Sequence, residues 1–303
     1  MRAKRAAAAA ISALLLAGCT APDGPDPAPS RSSTAPEDPV ASAARARAAE
    51  VVRAWEHSAA RLAWRTGYYP LDPNPEWLPA GAFRSLHEKA GYLSGSFALP
   101  ARLPGGEPAA EVRWGDGSAL GLPLRSVRES LLDLAGNRQA GPCHGDCTPL
   151  PVGEVRAGRR EVGTSRGQAT VPVWEFTVEG YAEPFALPAV GAQDRARPLP
   201  PAGWPGSPAG LSVGSFGART AGDDGLTLTG TVDLGPCRRV VLSETYETED
   251  SVVPFVLLAT DPGGDCAGER VSGAATVHLR GPLGGRTVLD LETGEPRRVG
   301  AVG

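Results

Sequence analysis

The chain lacks most of what would mark a nucleic-acid or cofactor enzyme. Its 303 residues carry a net charge of −4, so no basic footprint points to a phosphate backbone, and nucleic acid is excluded as an expected partner. Lysine is nearly absent: Lys4 and Lys89 are the only two. With the wealth of Ala, Gly and Pro, that scarcity reads as high-GC coding bias, not as a functional signal. No phosphate loop and no dinucleotide fingerprint is present, so no cofactor is expected. A membrane-spanning helix needs about 20 apolar residues. The apolar run Ala6 to Ala17 is shorter and stops at Gly18-Cys19.

What is present at the start is a basic run, Met1-Arg2-Ala3-Lys4-Arg5, followed by that apolar run. This is the layout of a signal peptide. Leu16-Ala17-Gly18-Cys19 resembles the lipobox of bacterial lipoproteins, in which the cysteine is diacylated and the bond before it is cut. The resemblance implies a signal peptide over 1–18, lipidation of Cys19 and a membrane-lipid partner through that residue. It places the chain on the outer face of the cytoplasmic membrane. The physics agrees, because stable anchoring takes two acyl chains and a diacylglyceryl cysteine carries two.

Residues 19–40, which include TAPDGPDPAPSRSSTAPEDP, have almost no large apolar side chain and are expected to form a disordered tether. In polyproline form, at about 3.1 Å per residue, the tether reaches roughly 60 Å. What remains is long enough for about two modest domains. A mixed helix and sheet domain is expected over 41–192, a Pro/Gly-rich linker over 193–210 and a β-rich domain over 211–303.

Within 41–192, Val51, Trp55, Ala59 and Leu62 recur at helical spacing, which predicts one amphipathic helix from Ala41 to Thr66 with Gly67 as its stop. Phe83, Leu86 and Ala90 predict a second, short helix. Glu111 to Trp114 and Ala119 to Leu124 flank the Gly-Asp-Gly-Ser turn of a hairpin. Ser126 with Glu129 forms a capping box before Val127, Leu131, Leu132 and Leu134, so a helix ending at Gly136 is expected. Val155 to Val162 and Ala169 to Val178 read as paired strands. Beyond the linker, Leu226 to Val232, Val240 to Tyr246, Val252 to Ala259, Ala274 to Leu279 and Thr287 to Leu291 read as short strands of a β-sandwich-like domain. The fold class is α+β, mainly β: an N-terminal helix on an antiparallel sheet, then a small β-sandwich.

Four cysteines remain once Cys19 is assigned to lipid. An even set in an exported chain reads as disulfides, with three connectivities open. Cys143–Cys147 and Cys237–Cys266 are favoured because each pair falls within one expected domain. TSRGQATVPVWEFTVEG with FALPAV, and the C-terminal YETEDSVV and GPLGGRTVLDLETGEP, are similar to segments of uncharacterised lipoproteins of high-GC Gram-positive bacteria. The resemblance spans most of the exported chain. It implies the two-part β-rich layout and local cysteine pairing, and it carries no activity.

Several clusters invite a chemical reading. Gly210-Leu211-Ser212-Val213-Gly214 matches G-x-S-x-G, and Asp223, Asp224 or Asp233 and then His278 follow in hydrolase order. The nucleophile elbow, however, needs a strand before the serine and a helix after it. Here a Pro/Gly linker precedes Ser212 and Gly-Ser-Phe-Gly follows. Cys143-His144-Gly145-Asp146-Cys147 holds zinc-ligand chemistry, but its spacing is too tight for a tetrahedral set, and no metal site is assigned. Glu244, Glu247, Glu249 and Asp250 offer paired carboxylates, with a solvated strand edge as the plainer reading. Trp64, Tyr68, Tyr69 and Trp77 crowd a Pro-rich loop. They form the candidate binding surface, the alternative being that they pack the helix onto the sheet. His57 and His87 have no ligand set around them. The chain therefore reads as an envelope accessory or binding protein, its partner an envelope protein or a cell-wall component. An extracellular hydrolase and a small-ligand capture protein are the competing classes, and the latter needs a deep cleft between the two parts.

Overall fold

A computed structural model describes residues 37–105, 109–137, 147–235, 237–260 and 271–301. The expected signal peptide, Cys19 and nearly all of the expected tether lie outside them. Residues from Asp38 onward form one compact unit. The protein is mainly β with a few helices, as the residue patterns predict.

The first helical stretch is two helices, α1 (Pro39–Glu56) and α2 (Ala59–Thr66). The break falls at His57-Ser58, where Ser58 turns to extended backbone and its hydroxyl donates back to the Trp55 carbonyl. Pro39 occupies the first turn of α1 and Asp38 caps it, accepting from the Val40 amide at 2.9 Å. The buried face of α1 is Val40, Ala41, Ala44, Ala48, Val51, Val52 and Trp55.

That face does not pack on the strands that follow it in sequence. It packs on the C-terminal half, against Val253, Phe255, Leu257, Leu289 and Leu291. All but Leu291 belong to a five-stranded sheet in the order β10 (Arg238–Glu247), β11 (Ser251–Thr260), β13 (Thr287–Leu289), β14 (Pro296–Arg297), with β7 (Leu211–Gly214) also on β11. The opposite face of β11 presents Val252, Val256 and Leu258 to a second apolar cluster. Phe216, Leu228, Val232 and Val277 join that cluster from a four-stranded sheet, β12 (Val271–His278), β9 (Thr227–Leu234), β8 (Phe216–Ala221) and β15 (Gly300–Ala301). Burial on both faces explains why β11 reads SVVPFVLLAT without alternation. The C-terminal half is thus a sandwich with α1 as a third layer.

The intervening residues build a six-stranded sheet in the order β1 (Phe97–Ala98), β4 (Leu150–Thr164), β5 (Gly167–Val178), β2 (Ala109–Trp114), β3 (Ala119–Pro123), with β6 (Phe185–Pro188) also on β5. The strand pair β4–β5 and the β2–β3 hairpin are those the sequence predicts. Trp174, Phe176 and Val178 point from β5 into a core shared with Tyr92 of α3 (Leu86–Leu93) and with Val127, Leu131 and Leu134 of α4 (Val127–Asn137). Ala169, Val171 and Val173 point the other way, toward Tyr68, Trp114 and Val190. The capping box closes as expected: the Ser126 amide donates to Glu129, and the Glu129 amide donates to the Ser126 hydroxyl.

The Pro/Gly-rich stretch 193–210 has no helix or strand, yet it is not a free linker. The buried Arg47 of α1 donates to the carbonyls of Pro200, Leu291 and Glu292. Leu199 and Trp204 pack against the α1 core, and Ser207 donates to Asp38 at 2.6 Å. Its prolines break secondary structure, but its carbonyls and apolar side chains bind it down as a strap.

Candidate functional site

A cleft of about 650 Å³ opens where the Tyr68–Pro75 loop, the start of α4 and the strap meet. The loop is laced onto the large sheet. The Leu71 amide donates to Gly163, the Ser165 amide donates to Tyr69, and Trp77 and Ala186 exchange backbone hydrogen bonds. Pro70, Pro73 and Pro75 of the loop line it, as do Pro188 and Pro198. A proline wall has fixed φ angles and no free N–H, so it is stiff and apolar.

The charged groups come from four places. Arg125, just before α4, binds Asp133 at 2.6 Å. Its backbone is held by its own amide donating to Ala189 and by its carbonyl accepting from the Trp174 indole at 2.9 Å. Gly191 leaves room for the guanidinium, since a β-carbon there would fall 2.3 Å from one of its nitrogens and push the side chain aside. Arg195, on the strap, donates to the Pro70 carbonyl at 2.9 Å and lies 4.7 Å over the Tyr69 ring. Glu295, from the C-terminal half, completes the lining. Tyr68 is fixed through its backbone: its amide donates to the Gln193 side chain at 3.0 Å, and its carbonyl accepts from the Gln193 amide at 3.2 Å. Burial pushes the Tyr69 hydroxyl upward from its ordinary pKa, against the pull of Arg195.

The four aromatic residues expected as a binding surface do not make one exposed platform. Tyr68 and Tyr69 are only 1% and 4% exposed. Tyr69 packs edge-on to Trp64, ring centroids 5.1 Å apart, and Trp64 packs edge-on to Trp55. Tyr68 belongs instead to the sheet core, with Trp77 half-buried against it. Neighbours in sequence, Tyr68 and Tyr69 alternate to opposite sides of an extended segment, so they enter different cores. Of the four, Tyr68 alone reaches the cleft wall.

Ser212 is not on an elbow. It lies within β7, opposite Leu258 of β11, and the chain continues into β8 with no helix. His278 ends β12 on the other sheet and is exposed. The acidic strand is neither a carboxylate pair nor simply solvated. Glu244 takes two hydrogen bonds from Arg45 of α1, at 2.5 and 2.6 Å. Asp250 is paired with Arg61 and Arg65 of α2. Glu247 is bound by Arg286 at 2.7 Å and by the Arg280 amide at 2.8 Å. Three of these carboxylates therefore tie helices and loops to the sandwich, while Glu249 is exposed.

His57 caps α1 through its ring, 2.7 Å from the Arg53 carbonyl, and His87 is exposed on α3. Cys143 to Asp146 and Cys266 lie outside the described residues. Cys147 and Cys237 are each disulfide-bonded. Among the described residues, no group of three or more His, Cys, Asp or Glu side chains is placed to hold a metal. No helix there is long and apolar enough to cross a membrane.

Sequence reasoning missed Arg125, Asp133, Arg195 and Glu295, which are far apart in the chain and carry no motif. The one available signal was the pair of arginines in the strap, Arg195 and Arg197, charged side chains beside a proline-rich run. No family model matches the chain, and neither a curated protein nor a solved structure matches it.

Proposed function

We propose that this chain is a lipid-anchored extracytoplasmic binding protein that captures a small ligand in the cleft between the Tyr68–Pro75 loop, α4 and the strap. The observation that carries this reading is the cleft itself. Its walls are pinned by backbone hydrogen bonds, its surface mixes apolar and polar groups, and a few charged side chains converge on it. Small-ligand sites have that make-up and are usually pre-formed. It is lined from both halves of the chain, Glu295 coming from the C-terminal half, as a capture protein requires. The lipobox-like Leu16 to Cys19 supports anchoring through two acyl chains. The disulfides are proposed to be Cys143–Cys147 and Cys237–Cys266, in keeping with an oxidising compartment.

Soaking crystals of the protein with a chemically diverse set of small molecules tests the site. Bound compounds are expected to concentrate in this cleft with little backbone movement. Compounds scattered over the surface, with the cleft empty throughout, would refute the reading.

A further inference from the structure

The large sheet ends on an edge that lacks the usual protection. β3 is its last strand, and its residues, Ala119-Leu120-Gly121-Leu122-Pro123, carry no charge. Free edges normally bear charges or bulges that keep other strands away. β10, the outermost strand of the five-stranded sheet, has both: Arg238, Arg239, Glu244 and Glu247, and a register shift between Val240 and Leu242.

The hairpin bonds fix which backbone groups of β3 are open. The Trp114 amide donates to the Ser118 carbonyl, so Ser118 faces β2. Along an antiparallel pair, successive residues alternate between facing the partner and facing away. Leu120 and Leu122 therefore face β2, while Ala119, Gly121 and Pro123 turn their backbone groups outward. All three are exposed. Pro123 has no N–H, and it sits on the outward side, where the ladder with β2 loses nothing by it.

This edge is complementary to a copy of itself. Set antiparallel about Gly121, two β3 strands place Gly121 opposite Gly121, Leu120 opposite Leu122 and Ala119 opposite Pro123. The two glycines then exchange a pair of hydrogen bonds, and each Ala119 amide donates to the Pro123 carbonyl of the second copy. On one face the half-buried Leu120 is covered by Leu122 of the second copy, and both leucines already belong to the core that contains Val112 and Trp114. On the other face Ala119, Gly121 and Pro123 are small enough to meet without a clash.

The charges agree. Across a two-fold axis like meets like, so a charge on the edge would repel its own copy. Glu111 of β2 stands opposite Gly121 and is paired with Arg113. Its copy would be three strand spacings away, about 14 Å, which is beyond the screening length of about 10 Å in dilute salt.

We propose that β3 pairs with β3 of a second copy of this chain, joining the two large sheets across a two-fold axis at Gly121. So short a strand makes a small interface, weak between freely diffusing molecules. Copies held on one membrane meet at high local concentration. For that concentration the inference rests on the anchor, and it is independent of the cleft.

Cross-linking on intact cells with a short bismaleimide tests it. Gly121→Cys is expected to give a covalent dimer, because this residue meets its own copy at the axis. Val271→Cys, exposed on the terminal strand β12, is expected to give none. Native Cys147 and Cys237 are disulfide-bonded and do not react. In phospholipid vesicles, energy transfer between copies labelled at Val271→Cys reads the association itself. Adding Gly121→Lys sets two ammonium groups opposite each other and should weaken association about fivefold or more. The melting temperature should hold, since a β-carbon at Gly121 meets nothing within 4 Å.

Membrane-bound Gly121→Cys protein that yields no dimer overturns the pairing, and so does as much dimer from Val271→Cys. Association untouched by Gly121→Lys overturns it as well. Gly121→Cys cross-linked only to a different envelope protein gives the edge to a foreign strand and ends the self-pairing. A protein found free in the medium fails the anchoring instead. Sedimentation of that soluble chain at high concentration then decides the pairing, and a monomer throughout overturns it.

Discussion

Trp55→Ala is expected to lower the unfolding free energy by about 3–5 kcal/mol, the range for removing a buried tryptophan. The damage should appear in the C-terminal sandwich, not in the large sheet. Trp55 is 2% exposed and shares its cluster with Val253, Phe255 and Leu257 of β11. Amide hydrogen exchange would locate the effect. Faster exchange is expected along β11, with β5 little changed under native conditions. Loss of protection in β5 with β11 intact would contradict the placement of α1 on the C-terminal half.

Glu247→Gln is expected to cost about 3–5 kcal/mol, because it leaves a largely buried guanidinium without its counter-charge. The side chains of Glu247 and Arg286 are only 4% and 12% exposed. Burial alone would raise the Glu247 pKa. The hydrogen bonds from Arg280, Arg286 and Thr245, with the Arg286 charge, outweigh that and hold it below its ordinary value. A carboxylate depressed in the folded state contributes stability that is fully present above its unfolded pKa and is lost as pH falls through the lower, folded value. Urea unfolding of the wild type at a series of acidic pH values should therefore steepen below the ordinary carboxylate range. The Gln variant should lack that component. Identical acid limbs in the two proteins would show that the pair contributes nothing to folding.

Local structure was legible from local patterns. The capping box at Ser126 and Glu129 and the Gly-Asp-Gly-Ser turn each depend on residues within a few positions of one another, and each appears as read. The strand ATVPVWEFTV forms, but its burial does not alternate, because β5 is covered on both faces. The fold class follows from them. Partnership between elements was not legible. The apolar face of α1 is equally suited to any sheet, and sequence proximity pointed to the wrong one. What pairs it with the C-terminal half is a set of distant matches, Arg45 with Glu244 of β10 and Arg47 with the carbonyls of Pro200, Leu291 and Glu292.

The same limit applies to the strap. Its prolines say that it cannot be a strand, but not that Arg47 and Asp38 will hold it down. The cleft was hidden for a related reason. Its charged groups come from the start of α4, its second turn, the strap and the loop before β14, and no local pattern joins them. The crowd of aromatics was visible, but extended backbone sends Tyr68 and Tyr69 to opposite sides, so what looked like a surface is mostly packing.

A tethered receptor at the membrane is the core of this account, and fractionation of cells expressing Cys19→Ser tests it most directly. The wild-type protein should sediment with membranes and resist high salt, and the variant should appear in the medium. A variant that stays with the membrane as firmly as the wild type would contradict anchoring through Cys19.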